Sequence, residues 1–328
     1  EMVKFTKTGG EANALAVRLA RAYSGKDKIA FCGYHGWHDW YLAANINNFN
    51  SKKNLDNHLM KGLETKGVPR NLKNTSFPFN YSDKESFNNI IKNHDIGTVK
   101  MEVCRSSMPD IEFLRHVRRE TKKRNIILIF DECTTGFRHE FGGIYKSTGI
   151  KPDIVLYGKA IGNGYPITCI MGKKDIMKCS DRSFISSTFW SDRVGYVAAQ
   201  KTLEEMYKNK SWRKIKQNGI FIQNQWKKLF DYFDISCSVK GIPGLPIFKF
   251  SHNHNLFKTY ISQEMLKNNI LAGDKIYVSL SHDKEKISKY LYEFTKVLKK
   301  ISLIDMYDEK INKYLLTSAA KKDFGRLN

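Results

Sequence analysis

The sequence lacks the marks of several protein classes. Its six cysteines, Cys32, Cys104, Cys133, Cys169, Cys179 and Cys237, are scattered, and no two lie closer than ten positions. That excludes C-x-x-C metal or redox motifs and fits reduced thiols in a cytoplasm. No apolar run approaches the ~18 residues needed to span a bilayer; Ile126–Phe130 is typical of the longest. A spanning helix is thereby excluded. The opening residues, Glu1-Met2-Val3, carry neither the basic nor the apolar stretch of a signal peptide. Neither an internal repeat nor a low-complexity linker interrupts the chain.

Acidic residues are also few, 33 Asp+Glu against 55 Lys+Arg, which leaves a net charge of +22. The excess is spread over the whole chain, with no Arg-rich arm, zinc finger or aromatic-basic platform, so no nucleic-acid partner is expected. A dispersed basic surface instead attracts anions in general and steers acidic metabolites. What is present is a globular composition, 41% apolar and 12% aromatic. The 328 residues suggest two domains, at roughly 100–200 residues each.

Short apolar runs alternate with amphipathic stretches, the pattern of a mainly parallel sheet flanked by helices, an α/β fold. Strands are expected at Ile29–Cys32, Thr98–Val103, Ile126–Asp131, Asp153–Tyr157 and Ile167–Met171. Helices are expected at Glu11–Tyr23, Ile111–Lys123, Val194–Tyr207 and Trp212–Phe233. From Ile235 the character changes to a smaller α+β domain, with strands Ile235–Lys240, Pro246–Ser251 and Lys275–Ser281 around helices Leu256–Lys267 and Lys284–Lys300. The expected domains are therefore 1–233 and 234–328. Asn45–Tyr81 reads as a long polar excursion near the site.

Three motifs carry chemistry. Phe130-Asp131-Glu132-Cys133-Thr134-Thr135-Gly136 ends a buried strand in a carboxylate, at the sheet edge where α/β ligands bind. Gly158-Lys159-Ala160-Ile161-Gly162-Asn163-Gly164 sets one lysine between glycines that permit close approach. Thr8-Gly9-Gly10-Glu11-Ala12-Asn13 opens a helix, whose free amides and positive dipole end suit a phosphate. Each alone is weak: a strand end, a surface lysine and a helix start are all common. His35-x-x-His38-Asp39 offers metal-ligand types, but it has no helical i, i+4 spacing and no second cluster, so no metal is expected.

Together, and in this order, the motifs resemble the class III aminotransferases of the type I pyridoxal-phosphate (PLP) fold, in particular their glutamate-1-semialdehyde aminomutase-like branch. Phe31-Cys32-Gly33-Tyr34-His35-Gly36-Trp37-His38-Asp39 and Ser186-Ser187-Thr188-Phe189-Trp190 extend the match, which runs from residue 1 nearly to the C-terminus. Because the chain opens almost on its first motif, an N-terminal segment of the family is expected to be missing from it. The resemblance implies that Lys159 binds the cofactor aldehyde covalently and that Asp131 pairs with the pyridine nitrogen. It further implies that Gly9 and Gly10 cradle the phosphate, that Tyr34 stacks on the ring with His35 beside it, and that Thr188 reaches the phosphate of a partner subunit in a homodimer. Glu102 matches a glutamate usually followed by proline, whereas here Val103-Cys104-Arg105 follows. Glu102 and Arg105 are the expected substrate residues, Arg105 as a clamp for a carboxylate.

The implied activity is transfer of an amino group between a small-molecule amino donor and a carbonyl acceptor. Glutamate-1-semialdehyde 2,1-aminomutase is one alternative, and an inactive PLP-fold binding or structural subunit is another.

Overall fold

The structure, a computed structural model, describes residues 1–48, 63–104, 107–306 and 310–320. By its internal contacts the chain divides into two compact units, Glu1–Cys104 with Pro109–Tyr207, and Arg105–Met108 with Lys208–Asn328.

The first unit is built on a seven-stranded sheet. In chain order its elements are β1 (Met2–Thr6), α1 (Gly9–Ser24), β2 (Lys28–Cys32), α2 (Asp39–Leu42), β3 (Ser76–Pro78), α3 (Lys84–Asn93), β4 (Ile96–Glu102), α4 (Ile111–Lys123), β5 (Ile127–Asp131), α5 (Tyr145–Thr148), β6 (Ile154–Tyr157), β7 (Thr168–Gly172), α6 (Lys174–Met177) and α7 (Arg193–Asn209). The strand order is β1-β7-β6-β5-β4-β2-β3. The ladders from β6 to β3 are parallel, while β7 runs antiparallel to both β6 and β1. Every residue of β4 and β5 is buried, as central parallel strands covered on both faces must be.

The helices begin and end where their sequences require. Thr8 caps α1 in a reciprocal box with Glu11, and Gly25, at φ 67°, closes it in the left-handed conformation that glycine adopts at little cost. The helical spacing of Ala12, Leu15, Ala16, Leu19 and Ala20 gives α1 a narrow apolar stripe, which lies on Ile127, Ile129, Ile154, Leu156 and Ile170 of the sheet. Asp110 caps α4 by accepting the Phe113 N–H at 2.9 Å.

The second unit contains α8 (Ser211–Tyr232), β8 (Cys237–Ile242), β9 (Leu245–Phe250), α9 (His254–Leu266) and α10 (Lys284–Met306). Trp226 and Phe230 of α8 share one core with Phe248 and Phe250 of β9 and Phe294 of α10. That burial draws α8 into this unit, so the division falls at Tyr207, earlier than the boundary after Phe233 expected from sequence. Gly219 lets α8 pass close to the β8–β9 turn; a Cβ there would lie 1.7 Å from the Pro243 carbonyl oxygen. The strand expected over Lys275–Ser281 does not form. Its backbone meets β9 through one isolated bridge, Ile247 to Lys275, and through separate bonds from the Ile276 and Val278 amides to Pro246 and Gly244. β1 and β3, short and with little apolar alternation, carry no clear signal in the sequence.

Candidate active site

Five chain segments converge at one end of the first unit's sheet. The carboxyl ends of β2, β4, β5 and β6 supply Tyr34, Glu102, Asp131 and Lys159, and the N-terminus of α1 supplies Gly9 and Gly10. All six line one cavity of about 510 Å³. This is the carboxyl edge at which open α/β sheets bind ligands. Parallel pairing sets Glu102 directly opposite Asp131, so two carboxylates stand side by side on the same sheet face.

Asp131 is buried and well partnered. Its Oδ1 accepts the Cys133 N–H at 3.0 Å, and its Oδ2 lies 2.9 Å from His35 Nδ1 and 3.4 Å from Lys100 Nζ. Burial alone would raise its pKa. The Lys100 charge, the His35 hydrogen bond and charge and the Cys133 amide outweigh that, and hold the carboxyl well below the usual carboxylate range. Asp131 therefore carries a full negative charge at any physiological pH. Its neighbour Glu132 turns into the protein instead, where Thr135 Oγ1 and the Tyr145 N–H donate to it and burial pushes its pKa up to about 7.

Lys159 leads a short 3₁₀ turn, Lys159–Ile161, directly after β6. Its φ of 45° places a non-glycine residue in the left-handed region, a conformation that costs about 1–3 kcal/mol and persists where surroundings impose it. Its Nζ donates to Thr134 Oγ1 at 2.9 Å, and the side chain is exposed at the cavity. Behind it, a Cβ on Gly158 would sit 3.0 Å from Thr168 Cγ2 and 3.3 Å from Cys133 Sγ.

At the head of α1 the Glu11 carboxylate accepts the Lys7 and Thr8 amides. Gly9 and Gly10 follow, first-turn residues whose amides have no partner four positions back. A Cβ on Gly10 would come within 3.3 Å of the His38 ring, which stacks on Trp37. Gly33, at φ 106°, allows Glu102 to approach the backbone; a Cβ there would lie 2.6 Å from Glu102 Oε2, which instead accepts the Tyr34 N–H at 3.1 Å.

These residues fit pyridoxal phosphate on their own chemistry. Free helix-start amides suit its phosphate, a permanently ionised carboxylate suits a protonated ring nitrogen, and an amine on the same cavity suits its aldehyde. Of the remaining residues singled out in the sequence, His35 is buried behind Asp131 rather than lining the cavity. Thr188 is exposed in the 3₁₀ turn Thr188–Ser191 and does not line this chain's cavity. Arg105 lies outside the described residues, as does the middle of the Asn45–Tyr81 excursion. Thr134, Asn13 and Lys100 also stand at or behind the cavity, with no role expected from the sequence. Thr134 sits within the Asp131 motif itself, and Asn13 donates to the Gly9 carbonyl while its buried Oδ1 has no partner among the described residues. Lys100 is a charge in the middle of an apolar strand run, a signal visible in the sequence.

Residues 1–264 match the family described as aminotransferase class-III. A 3-aminobutyryl-CoA aminotransferase of Cloacimonas acidaminovorans is 30% identical over 283 residues, 82% of this chain and 64% of its own length. A glutamate-1-semialdehyde 2,1-aminomutase of Methanobrevibacter smithii is 33% identical over 242 residues, 70% of this chain and 55% of its own. The chain thus spans between half and two thirds of the length of these relatives. Among solved structures, an omega-transaminase from Sphaerobacter thermophilus superposes with a TM-score of 0.79 at 21% identity, over 91% of this chain and 74% of that one. That likeness shows a shared fold. With most of its length matched by the family and its sheet edge arranged as above, the chain belongs to the class III aminotransferases.

Proposed function

We propose that the protein transfers an amino group between a small-molecule amino donor and a carbonyl acceptor, using pyridoxal phosphate. One observation carries this reading: the Lys159 amine and the buried, ionised Asp131 line the same cavity as the head of α1. When bound, the cofactor supplies a carbonyl for the amino group and a ring that accepts electrons from the substrate carbon. Lys159 Nζ would hold the cofactor through that carbonyl, and the same amine would carry a proton to and from the substrate Cα. Thr134 Oγ1 aims Nζ, and Asp131 holds the ring-nitrogen proton in place. Gly9 and Gly10 anchor the phosphate through backbone amides, and Tyr34 walls the ring.

Borohydride reduction of the cofactor-loaded protein, followed by peptide mapping, tests the assignment. The pyridoxyl label is expected on Lys159, and Lys159→Ala should lose the visible absorption of the bound cofactor. Label on another lysine overturns it.

A second reading, an intramolecular glutamate-1-semialdehyde 2,1-aminomutase, draws support from the aminomutases among the relatives. It uses the same residues and differs in retaining its intermediate instead of releasing a keto product. Labelled glutamate offered with a range of carbonyl acceptors separates the two. We further propose a homodimer in which Thr188 serves the partner's phosphate site, in keeping with its exposure away from its own cavity. Six free cysteines support a cytoplasmic setting.

A further inference from the structure

Lys100 is fully buried in the middle of β4. A lysine with no exposure must be paired, because an isolated ammonium in a protein interior is very unfavourable. It shares a strand face with Glu102 and reaches Asp131 Oδ2, 3.4 Å away. It does not line the cavity, so it acts on whatever binds there through Asp131.

The same Oδ2 faces His35 Nδ1 at 2.9 Å, while the other ring nitrogen, Nε2, lies 3.1 Å from the Cys32 carbonyl oxygen. Both partners are acceptors. The imidazole is thus placed to donate from both nitrogens, which only its doubly protonated form can do. Burial opposes that second proton, and so does the ammonium across Oδ2. The other groups around the ring are the neutral Cys32 thiol, whose pKa burial pushes up to about 12, and the aromatic rings of Phe31, Trp40 and Tyr41. Glu102, two residues on from Lys100 and on the same strand face, takes the Tyr34 N–H.

We propose that Lys100 is a positioning residue that supplies the standing positive charge beside Asp131, keeps the second proton off His35, and so leaves a neutral imidazole to orient an ionised carboxylate. One ammonium balances one carboxylate; adding an imidazolium would place two buried cations on a single oxygen. Burial first and the Lys100 charge second hold the His35 pKa down to about 4, against the pull of Asp131. Without Lys100 the counter-charge falls to His35, whose two acceptors already wait for it. For the cofactor the consequence, which rests on the reading that Asp131 meets the ring nitrogen, is that Asp131 is shared between two cations and grips the ring proton less tightly than an unopposed carboxylate.

The test uses the cofactor-free full chain, and its outcome does not depend on that reading. Nitrogen-15 NMR of labelled histidines, with the His35 signal assigned through His35→Gln, reads the ring's protonation directly. In the unmodified protein His35 should stay neutral from pH 8 down to pH 5; an imidazolium at pH 7 overturns the proposal without any further variant. In Lys100→Met, where burial still opposes the second proton but the ammonium no longer does, its pKa should rise above about 4. Thermal stability adds a readout that lost packing would not reproduce. Relative to the parent protein, a higher folded histidine pKa adds stability at low pH, where the unfolded ring is protonated, and adds none once pH exceeds both folded and unfolded values. Lys100→Met should therefore lose more stability at pH 8 than at pH 5. A loss that is independent of pH, or a His35 titration unchanged from the parent, overturns the proposal.

Discussion

At the scale of single residues, the site depends on a carboxylate whose charge is fixed by its surroundings. Asp131→Asn keeps the shape and the Cys133 N–H bond but removes the charge that faces Lys100 and that, in the function proposed above, meets the ring nitrogen. Turnover should fall about 10²–10³-fold, the ~2.7–4 kcal/mol typical of a preorganised electrostatic group. Steady-state rates at saturating cofactor measure it, and near-parental turnover would refute the role. The variant should also melt earlier, because removing one partner leaves the Lys100 ammonium buried and unbalanced, a change worth about 3–5 kcal/mol in comparable buried pairs. Asp131 and Lys159 are legible in the sequence because each sits in a run of unusual composition next to glycines or a second acid. The position of His35 is not legible: its motif places it near the cofactor, but only the folded chain turns it behind Asp131. Lys100 stands out in the sequence as a charge in an apolar run, but its partner is hidden for a different reason. Strand periodicity says which face a residue takes, and nothing local says that a charge on that face will meet a counter-ion from the neighbouring strand.

Among the elements, α8 offers a test in which local propensity and packing predict opposite signs. Replacing a mid-helix glycine by alanine ordinarily stabilises a helix by about 0.5–1 kcal/mol. At Gly219 the new methyl would collide with the Pro243 carbonyl, a backbone atom that cannot swing aside. Gly219→Ala should therefore destabilise the second unit, by about 1–3 kcal/mol as for other overpacked sites. Chemical denaturation followed by Trp226 fluorescence checks the sign, and a more stable variant would show that the turn yields. The helices are readable from the periodicity of one apolar face, and the central strands from short apolar runs buried on both faces. Lys275–Ser281 alternates like a strand, yet its chain leaves β9 after one bridge, which depends on the partner's path and not on its own residues. The boundary before α8 is set in the same way, by which core receives Trp226 and Phe230.

For the whole molecule, the charge of +22 is a long-range field that attracts anions, the cofactor's phosphate among them, so cofactor association should weaken as salt rises. Phe184, Phe189, Val194 and Val197, all within ten residues of Thr188 in sequence, are exposed, apolar surface of the kind that subunit contacts cover. If Thr188 completes the partner's site, two inactive chains should restore each other. Full-length Lys159→Ala mixed with full-length Thr188→Ala should recover part of the parental activity, since one of the two mixed sites combines an intact Lys159 with an intact Thr188. No recovery in a mixture shown to contain heterodimers, or a monomer by sedimentation, would defeat the arrangement.

The place of β5 in the sheet also bears on how the site behaves in time. Proteins open piecemeal, edges and loops often and interior strands seldom. Asp131 closes a fully buried strand with paired neighbours on both sides, whereas Lys159 rides a short turn and the head of α1 follows β1, an edge strand. The anion thus stays fixed through excursions that briefly displace the amine and the head of α1. A cofactor released by such an opening would return to a molecule that still holds its negative pole in position.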